Sequence, residues 1–161
     1  MKSLLLILVT VIFLTGCQES PTGRNRLALV PEAVLADMGQ ESFAQIKQQN
    51  AVITRPDINR LVQCITEALV SAAHTRYPDA PMPQSWEIAV FENATPNAFA
   101  LPGGKIGVHS GLLELAENQA QLATVIGHEI AHVLADHGNE RLTQELGLQA
   151  GILLLGLFSE S

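Results

Sequence analysis

The chain has little of what nucleic-acid recognition requires. Of its 161 residues only nine are Lys or Arg, against sixteen Asp or Glu, and aromatics make up 4%. Phosphate binding needs a basic footprint and base stacking needs aromatic platforms, so nucleic acid is excluded as a partner. Cysteine is equally scarce: Cys17 and Cys64 are the two present. With Cys17 modified, as argued below, Cys64 has no partner, and no intramolecular disulfide is expected even in an oxidising compartment. Cys64 falls in a helical pattern and is expected to be a small packing residue. The apolar run at residues 4–14 would rise only about 16 Å as a helix, roughly half of a bilayer's hydrocarbon core. Internal repeats and low-complexity blocks are absent, and the length suits one domain with one modest core.

What is present begins with a leader. Lys2 followed by the apolar run has the form of a signal peptide rather than a stable span. Leu14-Thr15-Gly16-Cys17 follows at once and resembles the bacterial lipobox, in which the Cys is acylated and becomes the new N-terminus. Residues 1–16 are therefore expected to be a lipoprotein signal peptide, 17–30 a lipidated tether, and 31–161 a single domain. Several acyl chains give stable anchoring where one does not. Gln18-Glu19 after the Cys, rather than Asp, favours the outer membrane, with the domain facing the periplasm. Loss of Lys2 leaves eight basic against sixteen acidic residues. In a bacterial lipoprotein Asn93-Ala94-Thr95 is an incidental match to a glycosylation acceptor.

Along the mature chain, residues 31–49 read as a helix with Val34, Leu35, Met38 and Ile46 on its apolar side. Ile58, Leu61, Val62, Ile65, Leu69 and Ala72 recur at helical spacing after Pro56, and Tyr77-Pro78 ends that pattern. Trp86, Ile88 and Val90 alternate with Glu87 and Ala89, a strand signature. Residues 98–101 and 105–109 form two more strands about Pro102-Gly103-Gly104. Ser110 is the expected N-cap of a short helix to Leu115. One long helix is expected from about Gln119 to Leu146. Helices, a small sheet, then helices make an α+β fold.

The chemistry lies in His128-Glu129-Ile130-Ala131-His132. Histidines four apart project from one helix face about a turn apart and can share a metal. Glu129 is offset by about 100° around the axis, close to the ion without occupying a ligand position. Zinc held by two His and one carboxylate keeps a position open for water and lowers the pKa of that water to about 7. Glu129 would take the water's proton and return it to the leaving amine. The flanking Val125, Ile126, Gly127, Ile130, Ala131, Val133 and Leu134 suggest a helix apolar nearly all round, hence buried. Burying two His and a Glu there is costly unless a metal or charge partner satisfies them. The blander alternative is a core helix with satisfied histidines.

These residues, with Asn97-Ala98-Phe99-Ala100-Leu101-Pro102-Gly103-Gly104-Lys105-Ile106 and Ser110-Gly111-Leu112-Leu113 before them, resemble the HtpX/CAAX-prenyl-protease (Ste24p-like) family of zinc metallopeptidases. Thr22-Gly23-Arg24 and His137-Gly138-Asn139-Glu140-Arg141 are similar to its periplasmic lipoprotein branch. The resemblance implies a zincin-like (gluzincin) fold, mostly helical with a small three-stranded sheet. It implies one Zn2+ on His128 and His132, with Glu129 catalytic. The strand at 105–108 would border the substrate cleft and pair with extended peptide by β-addition. Substrates would be damaged or misassembled envelope proteins, with the outer-membrane assembly machinery as a further partner. The family takes its third ligand from a later Glu-x-x-x-Asp, and no Glu here has an Asp four residues on. A C-terminally truncated domain is therefore expected, and a truncated member acting as a binding or chaperone-like lipoprotein is the alternative function.

No nearby residue is an evident substitute for the third ligand. On a continuous helix His137 lies about 180° from His128, which leaves it a supporting or surface role. Asp136 shares the ligand face one turn further along and is placed to orient His132. The metzincin pattern fails, since 135 is Ala and 138 is Gly. His109 at a strand end is expected to be structural, and His74 solvated. Glu140, Glu145 and Glu160 are the acidic residues nearest the family ligand's downstream position. Anchoring generates the first prediction: Cys17→Ser should no longer incorporate labelled palmitate, and labelling equal to the parent's would refute the lipobox reading.

Overall fold

The computed structural model describes residues 17–19 and 25–159. The expected signal peptide lies outside them. Strands β1 (Cys17–Glu19) and β2 (Asn25–Leu27) pair antiparallel, Cys17 opposite Leu27. The expected tether thus contains a two-stranded ribbon. Helices α1 (Glu32–Gln49) and α2 (Pro56–Arg76) follow, with Pro56 at the first helical position of α2, where its missing N–H costs nothing. Next come β3 (Glu87–Phe91), β4 (Ala98–Leu101), β5 (Lys105–His109) and α3 (Ser110–Leu115). Helices α4 (Gln119–Leu134) and α5 (His137–Ser159) complete the described chain. The fold is mostly helical around a three-stranded sheet. Among the described residues no helix is long and apolar enough to cross a membrane.

The strand order is β3-β5-β4, with β5 parallel to β3 and antiparallel to β4. This corrects one expectation: β5 is the middle strand, paired on both sides, and cannot add a peptide. Among the described residues the free edge beside α4 belongs to β4. The chain leaves a slot for β5 because the 92–97 loop carries β4 two positions away from β3. Ser110 fastens that loop, its hydroxyl donating to the Asn93 carbonyl and accepting from the Asn93 N–H, both at 3.1 Å. Ser110 is therefore the first residue of α3 and not its N-cap, a position held by His109 with no side-chain cap. Gly103 and Gly104, at φ of 75° and 74°, make the β4–β5 turn in a backbone region that side chains disfavour.

Period-two alternation divides the core. One sheet face, with Val90, Ala98, Ile106 and Val108, packs with Val62 of α2 and with Leu122, Ile126, Ile130 and Leu134 of α4. The other face, with Ala89 and Phe91, packs on Phe43 of α1, and Phe99 and Leu101 join it. Gly107 on this second face leaves room for the Phe99 ring, whose nearest carbon would sit 2.2 Å from an added Cβ. His109 packs edge-on against Phe91 and Phe99 and contacts the Thr95 carbonyl at 3.2 Å through Nδ1. Cys64 is exposed, which corrects the expectation of a packing residue. It sits two past the buried Val62, about 200° around α2 from it.

The α1 face also holds charge. Lys105 is buried at 8% exposure, and its Nζ lies 3.1 Å from Glu87, which also pairs with Lys47 of α1. The Lys47 hydrogen bond holds the Glu87 carboxyl below the usual range; partial burial opposes this and Lys105 reinforces it. A folded pKa below the unfolded one stabilises above the ordinary carboxylate pKa, about 4.3, and the gain is lost as pH falls through the folded value. Glu87→Gln should therefore cost on the order of 1–3 kcal/mol at pH 7. The gap to the parent should close as acid protonates Glu87. Urea titrations at pH 7 and pH 3 check this, and a pH-independent gap would contradict it.

Candidate metal centre

Helix α4 begins at Asn118, whose side chain accepts from the Gln121 N–H at 3.0 Å. Its buried stripe is Leu122, Ile126, Ile130 and Leu134, at spacings of four. At 100° per residue, His128 and His132 fall about 200° and 240° around from Ile126, opposite the stripe. His128 and Ala131 are exposed, and Glu129 and His132 half-buried. The helix is not buried all round, so the desolvation argument drawn from its apolar composition does not hold. The facing pair carries the case instead.

His128 Nε2 and His132 Nε2 stand 3.0 Å apart, with ring centroids at 4.5 Å and planes at 87°. Two imidazole nitrogens on a tetrahedral zinc, each about 2.0–2.1 Å from it, lie roughly 3.3 Å from one another. A small ring rotation closes the difference, so the pair fits the ion. The site is also at the C-terminal end of α4, where the helix dipole favours a cation. Among the described residues no group of three or more His, Cys, Asp or Glu is placed to hold a metal. Glu129, His132, Asp136 and His137 line an open cleft of about 1250 Å3. Phe99, Ala100 and Pro102 of the β4 edge and turn form another wall, and the start of α1 a third.

The expected single helix is broken after Leu134. Ala135 closes α4, its N–H donating to the Ala131 carbonyl at 2.9 Å. Asp136 then takes φ of 54°, and its carbonyl receives the N–H groups of Asn139 and Glu140 at the start of α5. Asp is among the few side chains that tolerate this region. The break overturns the geometry expected of His137. Its Nδ1 lies 2.5 Å from His132 Nδ1, so His132 meets His128 through one nitrogen and His137 through the other. His109 and the exposed His74 do not line the cleft.

Sequence reasoning missed the role of Asn139. It is buried at 4% exposure, donates to the Val30 carbonyl at 2.8 Å and accepts from the Val30 N–H at 3.2 Å. Thr143 accepts from the Leu29 N–H at 3.2 Å. Together they hold the segment after β2 against the cleft's rim as a strand partner would. An Asn and a Thr four apart on one helix face were the available signal. Asn139→Ala should leave two backbone groups unpaired, at about 1–3 kcal/mol in stability, and speed proteolysis near residues 28–31. Unfolding free energy and cleavage mapping check it; parent-like values in both would discount the clamp.

An imidazole pair four apart on one helix face, with a carboxylate following the first as general base, is the signature of the zinc-peptidase class. The profile of peptidase family M48 matches residues 56–159, and the chain belongs to that family. Over 130 residues it is 48% identical to the mitochondrial metalloendopeptidase OMA1 of Arabidopsis thaliana, covering 80% of this chain and 26% of that protein. It is 30% identical over 144 residues to OMA1 of Saccharomyces cerevisiae, with 84% and 42% covered. The Escherichia coli beta-barrel assembly-enhancing protease is 30% identical over 100 residues, with 62% and 19% covered. The chain spans less than half the length of these relatives.

Proposed function

We propose that this chain is the metal-binding and catalytic portion of a zinc-dependent metalloendopeptidase of the bacterial cell envelope. In this reading it is a lipoprotein anchored through Cys17 to the outer membrane and facing the periplasm. The facing Nε2 atoms of His128 and His132, 3.0 Å apart, carry the reading, since two imidazole nitrogens so placed can share a zinc ion. His128 and His132 hold the zinc, within a gluzincin site whose third ligand lies outside the set described. The resemblance to the periplasmic lipoprotein branch of the family and the lipobox-like Leu14-Thr15-Gly16-Cys17 support the envelope location. The Escherichia coli relative is a beta-barrel assembly-enhancing protease, which supports damaged or misassembled envelope proteins as substrates and the outer-membrane assembly machinery as a partner.

Zinc, when bound, supplies a Lewis acid for the scissile carbonyl and lowers the pKa of water. The chain's own residues do the rest. Glu129, half-buried on the cleft wall, takes the proton of the attacking water and delivers it to the leaving nitrogen. The β4 edge orients the substrate. Asn97 turns its carbonyl inward to the His109 N–H at 2.9 Å, so by antiparallel alternation Ala98 and Ala100 direct theirs to the free edge. An extended peptide can pair there beside α4, which requires an unfolded or locally open substrate.

In any complete form of this protein, Glu129→Gln should bind zinc nearly as the parent does while hydrolysing casein roughly 10²–10⁴-fold more slowly. Zinc content by metal analysis and turnover on casein, measured together, check it. Undiminished turnover would remove Glu129 as the base. Stoichiometric zinc with no hydrolysis in either protein would favour a binding lipoprotein over an enzyme.

A further inference from the structure

We propose that His137 is a positioning residue for the metal site, holding the His132 ring and fixing which of its nitrogens carries the proton. The inference rests on the reading of His128 and His132 as zinc ligands. Both ring nitrogens of His132 are engaged, Nε2 with His128 at 3.0 Å and Nδ1 with His137 at 2.5 Å. The His132 and His137 rings are 4.8 Å apart between centroids with planes at 62°, so the contact runs through nitrogens and is not a stack.

A neutral imidazole has one N–H, and the two contacts divide its roles. With the proton on Nδ1, His132 donates to Nδ1 of His137, and its Nε2 lone pair accepts from His128 Nε2 in the metal-free protein and is free for an ion that displaces that proton. His137 then carries its own proton on Nε2. The opposite tautomer places a proton on His132 Nε2 and blocks that nitrogen as a ligand. His137 selects the metal-binding tautomer by offering an acceptor on the far side of the ring, the part a carboxylate or carbonyl commonly takes behind a ligating His.

The fold fixes His137 from several directions. The left-handed Asp136 swings it back toward His132. Its neighbour Gly138 lies against Pro102, where an added Cβ would stand 3.2 Å from the ring Cγ. Asn139, two positions on, is tied to Val30. The backbone on both sides of His137 is thus held in place.

The experiment compares the full chain in detergent with His137→Leu, which keeps bulk and loses the acceptor, and His137→Asn, whose amide oxygen can stand near Nδ1. Zinc affinity is read by chelator competition, and the His132 tautomer by long-range proton–nitrogen NMR of the metal-free protein. The expected result is a 10–100-fold weaker zinc affinity for His137→Leu, with most of it recovered in His137→Asn. His132 should carry its proton on Nδ1 in the parent and in His137→Asn. Parent-like affinity in His137→Leu, no recovery in a folded His137→Asn, or an Nε2-protonated His132 in the parent would each overturn the inference. Should His137→Leu not fold, the parent's tautomer and the His137→Asn affinity decide it. A parent chain that binds no zinc would instead remove the metal reading itself, and this inference with it.

Discussion

Everything about the site follows from how α4 is seated. Leu122, Ile126, Ile130 and Leu134 are buried against the sheet and α2, and their spacing of four leaves one rotational setting for the helix. That setting turns His128 and His132 away from the core as a pair. A one-residue slip would rotate the pair by about 100° and place a histidine among Val90, Ile106 and Val108. The cost of burying an unpaired imidazole there would add to the loss of four apolar contacts. Core packing and presentation of the histidine pair are therefore one constraint, met by two different faces of the same sixteen residues.

Local periodicity made most of the elements legible. The extents of α1 and α2, the alternation in β3 and the Pro-Gly-Gly turn between β4 and β5 correspond to the described structure within a residue or two, but the expected α1 face does not: Val34 and Met38 are exposed, and Leu35, Gly39 and Phe43 are the buried residues. The spacing of His128, Glu129 and His132 was legible too, because a four-residue interval on a helix fixes relative direction without tertiary information. Strand order was not legible. Which of two adjacent strands is central depends on where the third lies, and the parallel β3–β5 pairing joins residues eighteen apart in sequence, Ile88 with Ile106. The break between α4 and α5 was also hidden, since Ala135-Asp136-His137 carries neither Gly nor Pro. Exposure of Cys64 and Ala131 was hidden for a third reason: apolar composition does not say which faces a neighbour covers.

The second sheet face does a different job. Phe43, Phe91 and Phe99 meet edge-on and stacked, with centroids 6.0–6.4 Å apart, and Lys105, Glu87 and Lys47 form a charged line beside them. A buried Lys costs free energy unless paired, so the line gives direction more than net stability. It fixes α1 along the sheet, and α1 in turn supplies a wall of the cleft. The Pro102-Gly103-Gly104 turn is the point where these parts meet. Gly103 touches Ala36 of α1, and Pro102 touches Gly138 of α5. The Asn-Ala-Phe-Ala and Gly-Gly-Lys segments, which carried the family resemblance, are accordingly scaffold for the edge strand and its turn.

The helix break after Leu134 joins these threads, because it changes what two residues can do at once. On an unbroken helix His137 would stand about 180° from His128, on the side where α4 meets the core. Its imidazole would need an internal partner or would strain the packing around Leu134. Ending α4 there keeps His128 and His132 in its last two turns, where the carbonyl end of the dipole favours a cation. The left-handed Asp136 then returns the chain so that His137 stands behind His132 and Asn139 faces Val30. One residue in an unusual backbone conformation, tolerated because it is Asp, thus terminates α4 and seats His137 behind His132. It also starts the helix that clamps the segment leading back toward Cys17. Residues holding a site in this way need not touch substrate, which is why the five-residue motif alone could not disclose them.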